Sequence, residues 1–246
     1  MSFDGRVALV AGAGGGMGLN IANDLISKGA HVVLADIKPK PEDIREGPGR
    51  SIYCRGDLSS EKFVSEVVKG AVEAFERLDY LVNSVGVLWF GRDGSLLDMD
   101  LAVWDRVMDV NLKSFVLTSR HAIPVMRASG GGAIVHFSST QALRGDTAPQ
   151  DAYGASKGAI LSLSKSIAIQ FARDRIRSNV ILPGSTMSPM QKRWEGKEEE
   201  VARNIPIGRV GTTQDQANAC LFLLSDEASF ITGSELIVDG GATASV

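Results

Sequence analysis

Residues 6–18 read RVALVAGAGGGMG, a short apolar run that passes directly into a glycine-rich turn. The run Arg6–Val10 has the Val and Leu content of a buried strand, and Met17–Lys28 repeats Ile and Leu at helical spacing. Glycines between a strand and a helix let the backbone approach a pyrophosphate, which then lies at the helix N-terminus. The stretch therefore predicts a nucleotide-binding βα unit, although similar turns that bind nothing also occur. The residues expected to contact the phosphates are Gly12, Gly14, Gly15, Gly16, Met17 and Gly18.

Strand-like and helix-like segments alternate along the rest of the chain. The predicted strands after Arg6–Val10 are His31–Ala35, Ser51–Cys54, Tyr80–Val82, Ala133–Phe137, Asn179–Leu182 and Glu235–Val238. The predicted helices after Met17–Lys28 are Glu61–Leu78, Ala102–Arg127, Tyr153–Arg173 and Thr213–Leu224. Buried strands separated by helices are typical of a parallel sheet that is covered on both faces. We therefore predict an α/β fold with a Rossmann-like, doubly wound parallel sheet of about seven strands.

Composition and length narrow the class of protein. The 246 residues carry 26 Lys and Arg against 29 Asp and Glu, and the net charge of −3 argues against nucleic-acid binding. Two isolated cysteines, Cys54 and Cys220, suit neither a disulfide framework nor a cysteine zinc site, and we expect no metal. The apolar runs are too short for a signal peptide or a ~20-residue membrane span, so we expect a cytoplasmic protein. We predict one domain over residues 1–246, with a mobile substrate lid around residues 185–210.

Two aspartates mark the predicted adenosine side of the nucleotide site. Asp36 directly follows the second predicted strand, where an acidic residue binds the ribose in dinucleotide sites. A carboxylate there accepts hydrogen bonds from the ribose hydroxyls and repels a 2′-phosphate, so it favours NAD over NADP. Lys38 is the only cation nearby. Asp57, with Leu58 after it, would suit the adenine, although both aspartates are also ordinary residues for strand ends and turns.

Tyr153 and Lys157 lie four residues apart at the start of a predicted helix, and therefore on one face of it. A buried ammonium beside a phenol favours the phenolate, so we expect the pKa of Tyr153 to lie about three units below its usual ~10. Such a phenol exchanges protons near neutral pH. The pair is common by chance, but Ser138 and Ser139 end a strand upstream and Asn111 lies in the preceding helix.

Taken in order, these motifs resemble those of the short-chain dehydrogenase/reductase family, of the compact single-domain type. The matching features are Gly12, Gly16, Gly18, Asp57, Asn83-Ser84-Val85-Gly86, Asn111, Ser139, Tyr153, Lys157, Pro183-Gly184 and Val238-Asp239-Gly240-Gly241. Each motif alone is unspecific, but together the motifs follow the order of the family over nearly the whole chain, and this combination is specific. The resemblance implies an NAD(H)-dependent oxidoreductase that interconverts a small secondary alcohol and a ketone by hydride transfer. An epimerase or dehydratase with the same Tyr/Lys pair, and a nucleotide-binding regulator without turnover, are the alternatives.

The resemblance also implies roles for individual residues. Tyr153 would be the general acid/base, Ser139 would hold the substrate oxygen, and Lys157 would bind the nicotinamide ribose and tune Tyr153. Asn111 would bend its helix and position a water that relays protons from Lys157. The other residues expected at the nicotinamide half of the cofactor are Asn83, Gly86, Pro183, Gly184, Thr186 and Ser188. Ser185, Thr186 and Ser188 all supply a hydroxyl for the carboxamide, and spacing favours Ser188.

Three features qualify the match. Ala11 stands where the family usually has Thr, so a hydroxyl that ties the glycine loop to the next strand is missing. Residues 83–86 read NSVG and keep only the first and last residue of the usual NNAG. Both Ser138 and Ser139 are candidates for the catalytic serine; family usage favours Ser139, and Ser138 is then structural.

Loop residues beyond the carboxyl ends of the strands are the substrate-pocket candidates, because ligands bind there in open α/β sheets. Aromatic residues in such a pocket suit an apolar alcohol or ketone, whereas an arginine suits a carboxylate. We expect His136 to be a core residue and the small-residue-rich helices and C-terminal strand to form a homotetramer, as in the family. The substrate candidates are Trp89, Arg144, Met187 and Trp194.

Overall fold

Seven parallel strands form one sheet in the computed structural model, which describes residues 1–244. Their order across the sheet is β3-β2-β1-β4-β5-β6-β7. The strands are β1 Val7–Ala11, β2 His31–Asp36, β3 Ser51–Arg55, β4 Tyr80–Asn83, β5 Gly132–Phe137, β6 Ile176–Pro183 and β7 Glu235–Val238. The arrangement confirms the predicted Rossmann-like, doubly wound sheet.

The order of the strands reverses next to β1. The chain winds outward from β1 through β2 to β3, and then returns to place β4 on the other side of β1. The loops that follow β1 and β4 therefore diverge and leave a crevice at the carboxyl ends of these two strands. This switch point is where open α/β sheets bind their ligands.

The helices described within residues 1–244 cover both faces of the sheet. α1 packs with α7 on one face, and α2 packs with α4 on the other. The helices are α1 Gly16–Ser27, α2 Glu61–Phe75, α3 Leu101–Met108, α4 Ser114–Ala128, α5 Asp151–Gln170, α6 Glu198–Ala202 and α7 Thr213–Leu224. None of them has the length and apolar character that crossing a bilayer requires.

The period-two pattern of the strands builds a core on each face. In β1, Ala8 and Val10 join the buried cluster under α1 and α7, whereas Val7 and Leu9 join the cluster under α2 and α4. Because both faces are covered, the inner strands consist almost entirely of buried residues. This rigid centre holds the loops at its carboxyl edge.

β6 begins at Ile176, three residues before its predicted start. The sequence pattern missed the start of this strand, because polar side chains are uncommon in buried strands. Arg177 donates to the carbonyl oxygens of Leu223 and Leu224 at the end of α7, at 2.7 and 3.1 Å. Carbonyl groups that are distant in the sequence thus accept the hydrogen bonds of Arg177. They allow this polar residue to lie in a strand, where the local pattern predicted none.

The predicted helix Ala102–Arg127 is interrupted by a π-helical turn, Asp109–Lys113, which joins α3 to α4. The predicted helix Tyr153–Arg173 is shifted and begins at Asp151. The lid segment contains a 3₁₀ stretch, Pro189–Trp194, followed by α6. Its predicted mobility stays a prediction.

Candidate active site

A cavity of about 320 Å³ opens in the crevice at the carboxyl ends of β1 and β4. The loops after β1, β2, β3 and β4 form its walls, together with α3 and the start of the lid. Its lining residues are Gly12, Gly15, Gly16, Met17, Gly18, Asp36, Ile37, Lys38, Asp57, Leu58, Ser84, Val85, Gly86, Val87, Trp89, Arg106, Val110, Ser188, Pro189 and Met190. Most of the predicted cofactor residues therefore meet at one cavity.

Close packing explains two glycines of the first loop. Gly12 has a φ of +89°, and a side-chain carbon there would lie 2.7 Å from the amide nitrogen of Val85. A side-chain carbon at Gly18 would overlap the carbonyl oxygen of Gly12. α1 starts in this loop, and within the described residues no side chain caps it. Its N–H groups and its positive end therefore suit an anion such as a pyrophosphate in the cavity.

Asp36 binds the same loop from the end of β2. One carboxylate oxygen accepts from the N–H of Gly14 at 2.8 Å, and the other accepts from the N–H of Lys38 at 3.0 Å. A side-chain carbon at Gly14 would lie 2.6 Å from the carboxyl carbon of Asp36. Gly14 therefore serves this contact and does not line the cavity, whereas Asp36 and Lys38 do.

Asp57 has a partner that no sequence motif indicated. Arg106 of α3 donates to Asp57 at 2.9 Å and to the hydroxyl of Ser59 at 3.0 Å. Burial by itself raises the pKa of Asp57, but hydrogen bonds from Ser59 and Arg106 outweigh it and lower the pKa overall. Arg106 also lines the cavity, so a cation and an anion face the predicted adenine side.

Ser84 supplies a tie to the glycine loop in the absence of a threonine at residue 11. Its hydroxyl donates to the carbonyl oxygen of Ala11 at 2.9 Å, with the carbonyl oxygen of Gly12 at 3.4 Å. The departure at residue 84 therefore offsets the departure at residue 11. Both changes leave the loop anchored to β4.

Tyr153 and Lys157 lie on the first turns of α5, beside the end of β5. The Ser139 hydroxyl lies near enough to the Tyr153 phenol to act on its pKa. The Lys157 ammonium donates to the carbonyl oxygen of Phe137 at 2.9 Å and lies 5.6 Å from the centre of the Tyr153 ring. A side-chain carbon at Gly86, in the cavity wall, would lie 3.4 Å from Lys157 Nζ. The predicted catalytic group is therefore next to the cavity.

The expected lowering of the Tyr153 pKa is wrong for this arrangement. Burial raises the pKa of the phenol, and the hydrogen bond from Ser139 offsets only part of that effect. Burial also lowers the pKa of Lys157 to about 7, because an ammonium is poorly solvated there. The lysine points to a backbone carbonyl and gives up part of its own charge, so it does little to favour a phenolate.

The two serines at the end of β5 have different surroundings. The Ser138 hydroxyl is buried and donates to the carbonyl oxygen of Lys157 at 2.7 Å. Ser139 is partly exposed, contacts Tyr153, and accepts from the N–H of Gln141 at 3.2 Å. The geometry favours Ser139 as the serine that faces a substrate.

Asn111 lies in the π-helical turn between α3 and α4. Its side chain accepts from the N–H of Val87 at 2.7 Å and donates to the Val87 carbonyl at 3.0 Å and to Ser156 at 3.1 Å. It therefore links the loop after β4 to the helix that carries Tyr153. Its predicted role in a proton relay stays a prediction.

Asn83 and His136 form a buried pair behind the cavity. Asn83 Nδ2 lies 3.2 Å from His136 Nδ1, and Asn83 Oδ1 accepts from Thr118 at 2.8 Å. Burial lowers the pKa of His136 to about 3, so the ring is neutral. His136 is the expected core residue, although its Nε2 has no partner among the described residues.

Of the predicted cofactor residues after β6, some pack within the protein and one lines the cavity. Thr186 is buried, donates to the carbonyl of Gly184 at 3.0 Å, and accepts from Gln216 at 3.1 Å. Gly184 is pressed against Asp239, where a side-chain carbon would lie 2.5 Å away. Ser188 lines the cavity, and its predicted contact with the carboxamide stays a prediction. The predicted cofactor residues that do not line it, within residues 1–244, are Gly14, Asn83, Tyr153, Lys157, Pro183, Gly184 and Thr186.

Of the four substrate candidates, Trp89 lines the cavity. Arg144 lines a separate cavity of about 320 Å³ with Ser185. Met187 is held by its backbone, whose N–H donates to the Gly211 carbonyl at 2.8 Å.

Trp194 lies in the lid beside Arg193, which also stacks over a loop residue that approaches from β4. The Arg193 guanidinium carbon is 3.7 Å from the centre of the Phe90 ring and 5.3 Å from that of Trp194. The lid therefore contacts the loop after β4 through aromatic faces.

A family model described as enoyl-(acyl carrier protein) reductase matches residues 12–243. A protein of Bradyrhizobium diazoefficiens described as a short-chain type dehydrogenase/reductase is 38% identical, over 99% of this chain and 89% of that protein. The cis-4-hydroxycyclohexanecarboxylate dehydrogenase of Sinomonas cyclohexanicum is 35% identical, over 99% and 98% of the two chains. The NAD-dependent glycerol dehydrogenase of Listeria innocua is 36% identical, over 97% and 94%.

A solved structure gives the same result for the fold. The ligand-free aldohexose dehydrogenase of Thermoplasma acidophilum superposes with a TM-score of 0.89 at 32% identity, over 99% of this chain and 96% of that one. The relatives found by sequence and this structural neighbour are all described as dehydrogenases or dehydrogenase/reductases.

Proposed function

The chain belongs to the short-chain dehydrogenase/reductase family, and we propose that it uses NAD(H) to interconvert a small secondary alcohol and a ketone. The observation that carries the proposal is that Ser139, Tyr153 and Lys157 lie together where β5 ends, with Lys157 bound to the Phe137 carbonyl and beside the cavity wall at Gly86. A protein that only binds nucleotide has no need of this set.

The choice of NAD rests on Asp36. Its carboxylate lies at the cavity beside the glycine loop, where it would accept hydrogen bonds from ribose hydroxyls and repel a 2′-phosphate. The uncapped N-terminus of α1 would hold the pyrophosphate, and Asp57 and Leu58 would flank the adenine. The relative in Listeria innocua is NAD-dependent, which agrees with this choice.

The chemistry follows from the placement of the hydroxyl groups. The nicotinamide, when bound, supplies or accepts the hydride at the substrate carbon. Ser139 would donate to the substrate oxygen, and Tyr153 would take the hydroxyl proton during oxidation and return it during reduction. Lys157 would bind the nicotinamide ribose, and Asn111 would position a water that relays protons from Lys157 to solvent. The raised pKa of Tyr153 keeps the phenol protonated, which is the form that ketone reduction requires.

The substrate is proposed to be a small alcohol or ketone at the side of the cavity where Trp89 lies. The relatives described as a cis-4-hydroxycyclohexanecarboxylate dehydrogenase and a glycerol dehydrogenase support a small hydroxylated substrate. Because the loops of the sheet itself form the walls, the substrate must fit between the loop after β4 and the lid.

The proposed assembly is a homotetramer in the cytoplasm. Apolar side chains are exposed on α4 at Val116, on α5 at Ile169, on β7 at Ile237, and at Phe230, which precedes β7 in the chain. We propose that these side chains lie in the contacts between subunits. Both cysteines are free thiols, as suits a reducing compartment.

A substrate panel tests the activity. Purified protein is incubated with cyclohexanol, hydroxycyclohexanecarboxylates, glycerol and aldohexoses, with NAD and NADP in parallel, and NAD(P)H absorbance is followed; the matching ketones are tested in the reverse direction. We expect turnover of at least one secondary alcohol with a preference for NAD. Tight NADH binding without turnover of any member in either direction would favour a regulator.

A further inference from the structure

The first turn of α5 is capped by a loop that is distant in sequence. The first N–H groups of a helix find no partner within the helix. Here the N–H of Asp151 donates to the carbonyl oxygen of Gly94 at 3.2 Å. The N–H groups of Ala152 and Tyr153 donate to the two carboxylate oxygens of Asp93, at 3.1 and 2.9 Å.

The helix has no cap of its own within the described residues. Gln150, which precedes α5, makes no side-chain hydrogen bond to the first turn. The side chain of Gln150 instead accepts from Gln141 at 3.0 Å. The turn that carries Tyr153 therefore depends on Asp93 for the hydrogen bonds that a local cap would provide.

Asp93 is held in one place by its surroundings. The residue is 4% exposed, and a buried carboxylate is stable only where donors satisfy it. Two N–H groups at the positive end of a 20-residue helix meet that need. The Asp93 carboxylate and the first turn of α5 therefore hold each other in place.

The loop that carries Asp93 also forms a wall of the cavity. The N–H of Asp93 donates to the carbonyl oxygen of Trp89 at 2.9 Å and closes a turn, and Trp89 lines the cavity. Further along the loop, the N–H of Leu96 donates to the Asp151 carboxylate at 2.8 Å. The loop therefore accepts hydrogen bonds from α5 through Asp93 and donates one to α5 through Leu96.

We propose that Asp93 is a positioning residue, which holds the turn that carries Tyr153 in register with the loop that carries Trp89. This inference rests on the proposed function, since it takes Tyr153 as the acid/base. Asp93 touches no reacting atom and acts through the backbone of α5. Proton transfer from a phenol needs hydrogen-bond distance, and a misplacement of about 1 Å costs about 10²-fold in rate.

Variants at residue 93 test the proposal with the best substrate of the panel. Asp93→Ala removes both acceptors, and Asp93→Asn keeps one. We expect kcat to fall about 10- to 100-fold in Asp93→Ala and less in Asp93→Asn, with the Kd of NADH within about twofold of the parent. Ser60→Ala is the matched control, because Ser60 caps α2 by accepting from Phe63 at 3.5 Å. It should lower Tm with little change in kcat.

A double variant separates positioning from helix stability. Asp93→Ala with Gln150→Ser supplies a local cap, since serine is a preferred residue at that position. We expect it to regain Tm while kcat stays low, because the link to the loop is still missing. Recovery of both Tm and kcat would show that Asp93 acts only as a helix cap and would overturn the proposal.

Hydrogen exchange keeps this test apart from the test of the proposed function. In Asp93→Ala the amides of Ala152 and Tyr153 should exchange faster than in the parent, whether or not a substrate has been found. Unchanged exchange in a folded variant would overturn the proposal. If the parent protein turns over nothing on the panel while exchange behaves as expected, the proposed function fails and the capping contact stands. If Asp93→Ala does not fold, Asp93→Asn is measured in the same way.

Discussion

The carboxylate of Asp36 accepts a hydrogen bond from the amide of Gly14 at 2.8 Å, so the acid at the end of β2 braces the glycine loop at the cavity. The contact requires glycine, because a side-chain carbon at residue 14 would lie 2.6 Å from the Asp36 carboxyl carbon. Asp36 therefore both holds the glycine loop through a hydrogen bond and places a negative charge at the cavity. Substitutions that remove one of these effects and keep the other show what each contributes.

Asp36→Asn should narrow the NAD/NADP ratio of kcat/KM while leaving the glycine loop in place. The amide keeps an oxygen for the Gly14 N–H but loses the charge that repels a 2′-phosphate. Asp36→Ala should narrow the ratio as well, and should also weaken NADH binding several-fold, since a hydrogen bond of ~1 kcal/mol or more is lost from the loop. Steady-state kinetics with both cofactors and NADH fluorescence titration measure these effects. An unchanged ratio in both variants would contradict the role of Asp36.

Tyr153→Phe should lower kcat by about 10²- to 10⁴-fold, because it removes the group that we propose exchanges the substrate proton. The Kd of NADH should change little, since the variant leaves the glycine loop, Asp36 and Asp57 at the cavity unaltered. Tyr80→Phe is the control: it removes another buried hydroxyl, on β4, and should keep its activity. Retention of activity in Tyr153→Phe would rule out the catalytic assignment.

Lys157 should make stability depend on pH. Burial lowers its pKa to about 7 in the folded protein, whereas an unfolded chain titrates a lysine near ~10.4. Between these values the unfolded state binds a proton that the folded state has released, so stability rises with pH in this window. Below pH ~7 both states are protonated, and the full cost of burying the charge is present.

The Lys157→Met variant isolates this effect. The free energy of unfolding of the parent minus that of the variant should rise between pH ~7 and ~10, by no more than about 1.4 kcal/mol per pH unit. Urea unfolding at a series of pH values measures the difference. A flat difference across this range would show that the buried lysine keeps its ordinary pKa.

The protein should sediment as a tetramer at micromolar concentration. Phe230 is fully exposed in the single chain, and Val116 of α4 is also exposed. Phe230→Asp and Val116→Asp should each give dimers, because each places a charge in one of the two proposed contact surfaces. The double variant should give monomers. A monomeric parent protein in analytical ultracentrifugation would contradict the proposed assembly.

Local patterns were sufficient for the core of the fold. The sequence of β1, the glycine loop and α1 appears in the structure with bounds shifted by one residue, since strand, turn and helix signals are adjacent along the chain. The end of β2 was likewise predicted to within one residue, because the charged Asp36 follows a buried run. These features depend on near neighbours in sequence.

Contacts over long sequence distances explain what local patterns missed. α5 begins two residues before its predicted start because Asp93 binds its first turn. Arg106 lies in no motif, and only the folding of α3 against the loop after β3 brings it to Asp57. Ser84 similarly replaces a missing hydroxyl by reaching β1 from β4.

The sequence by itself determined the parallel α/β sheet, the nucleotide loop and the residue types needed for proton transfer, because each is written in a short stretch. Only the tertiary structure decided the environment of those residues. The ammonium of Lys157 binds the Phe137 carbonyl, burial raises the pKa of Tyr153, and Ser139 rather than Ser138 meets the phenol. A pKa depends on solvation and on charges in three dimensions, and residue spacing along a chain does not specify either.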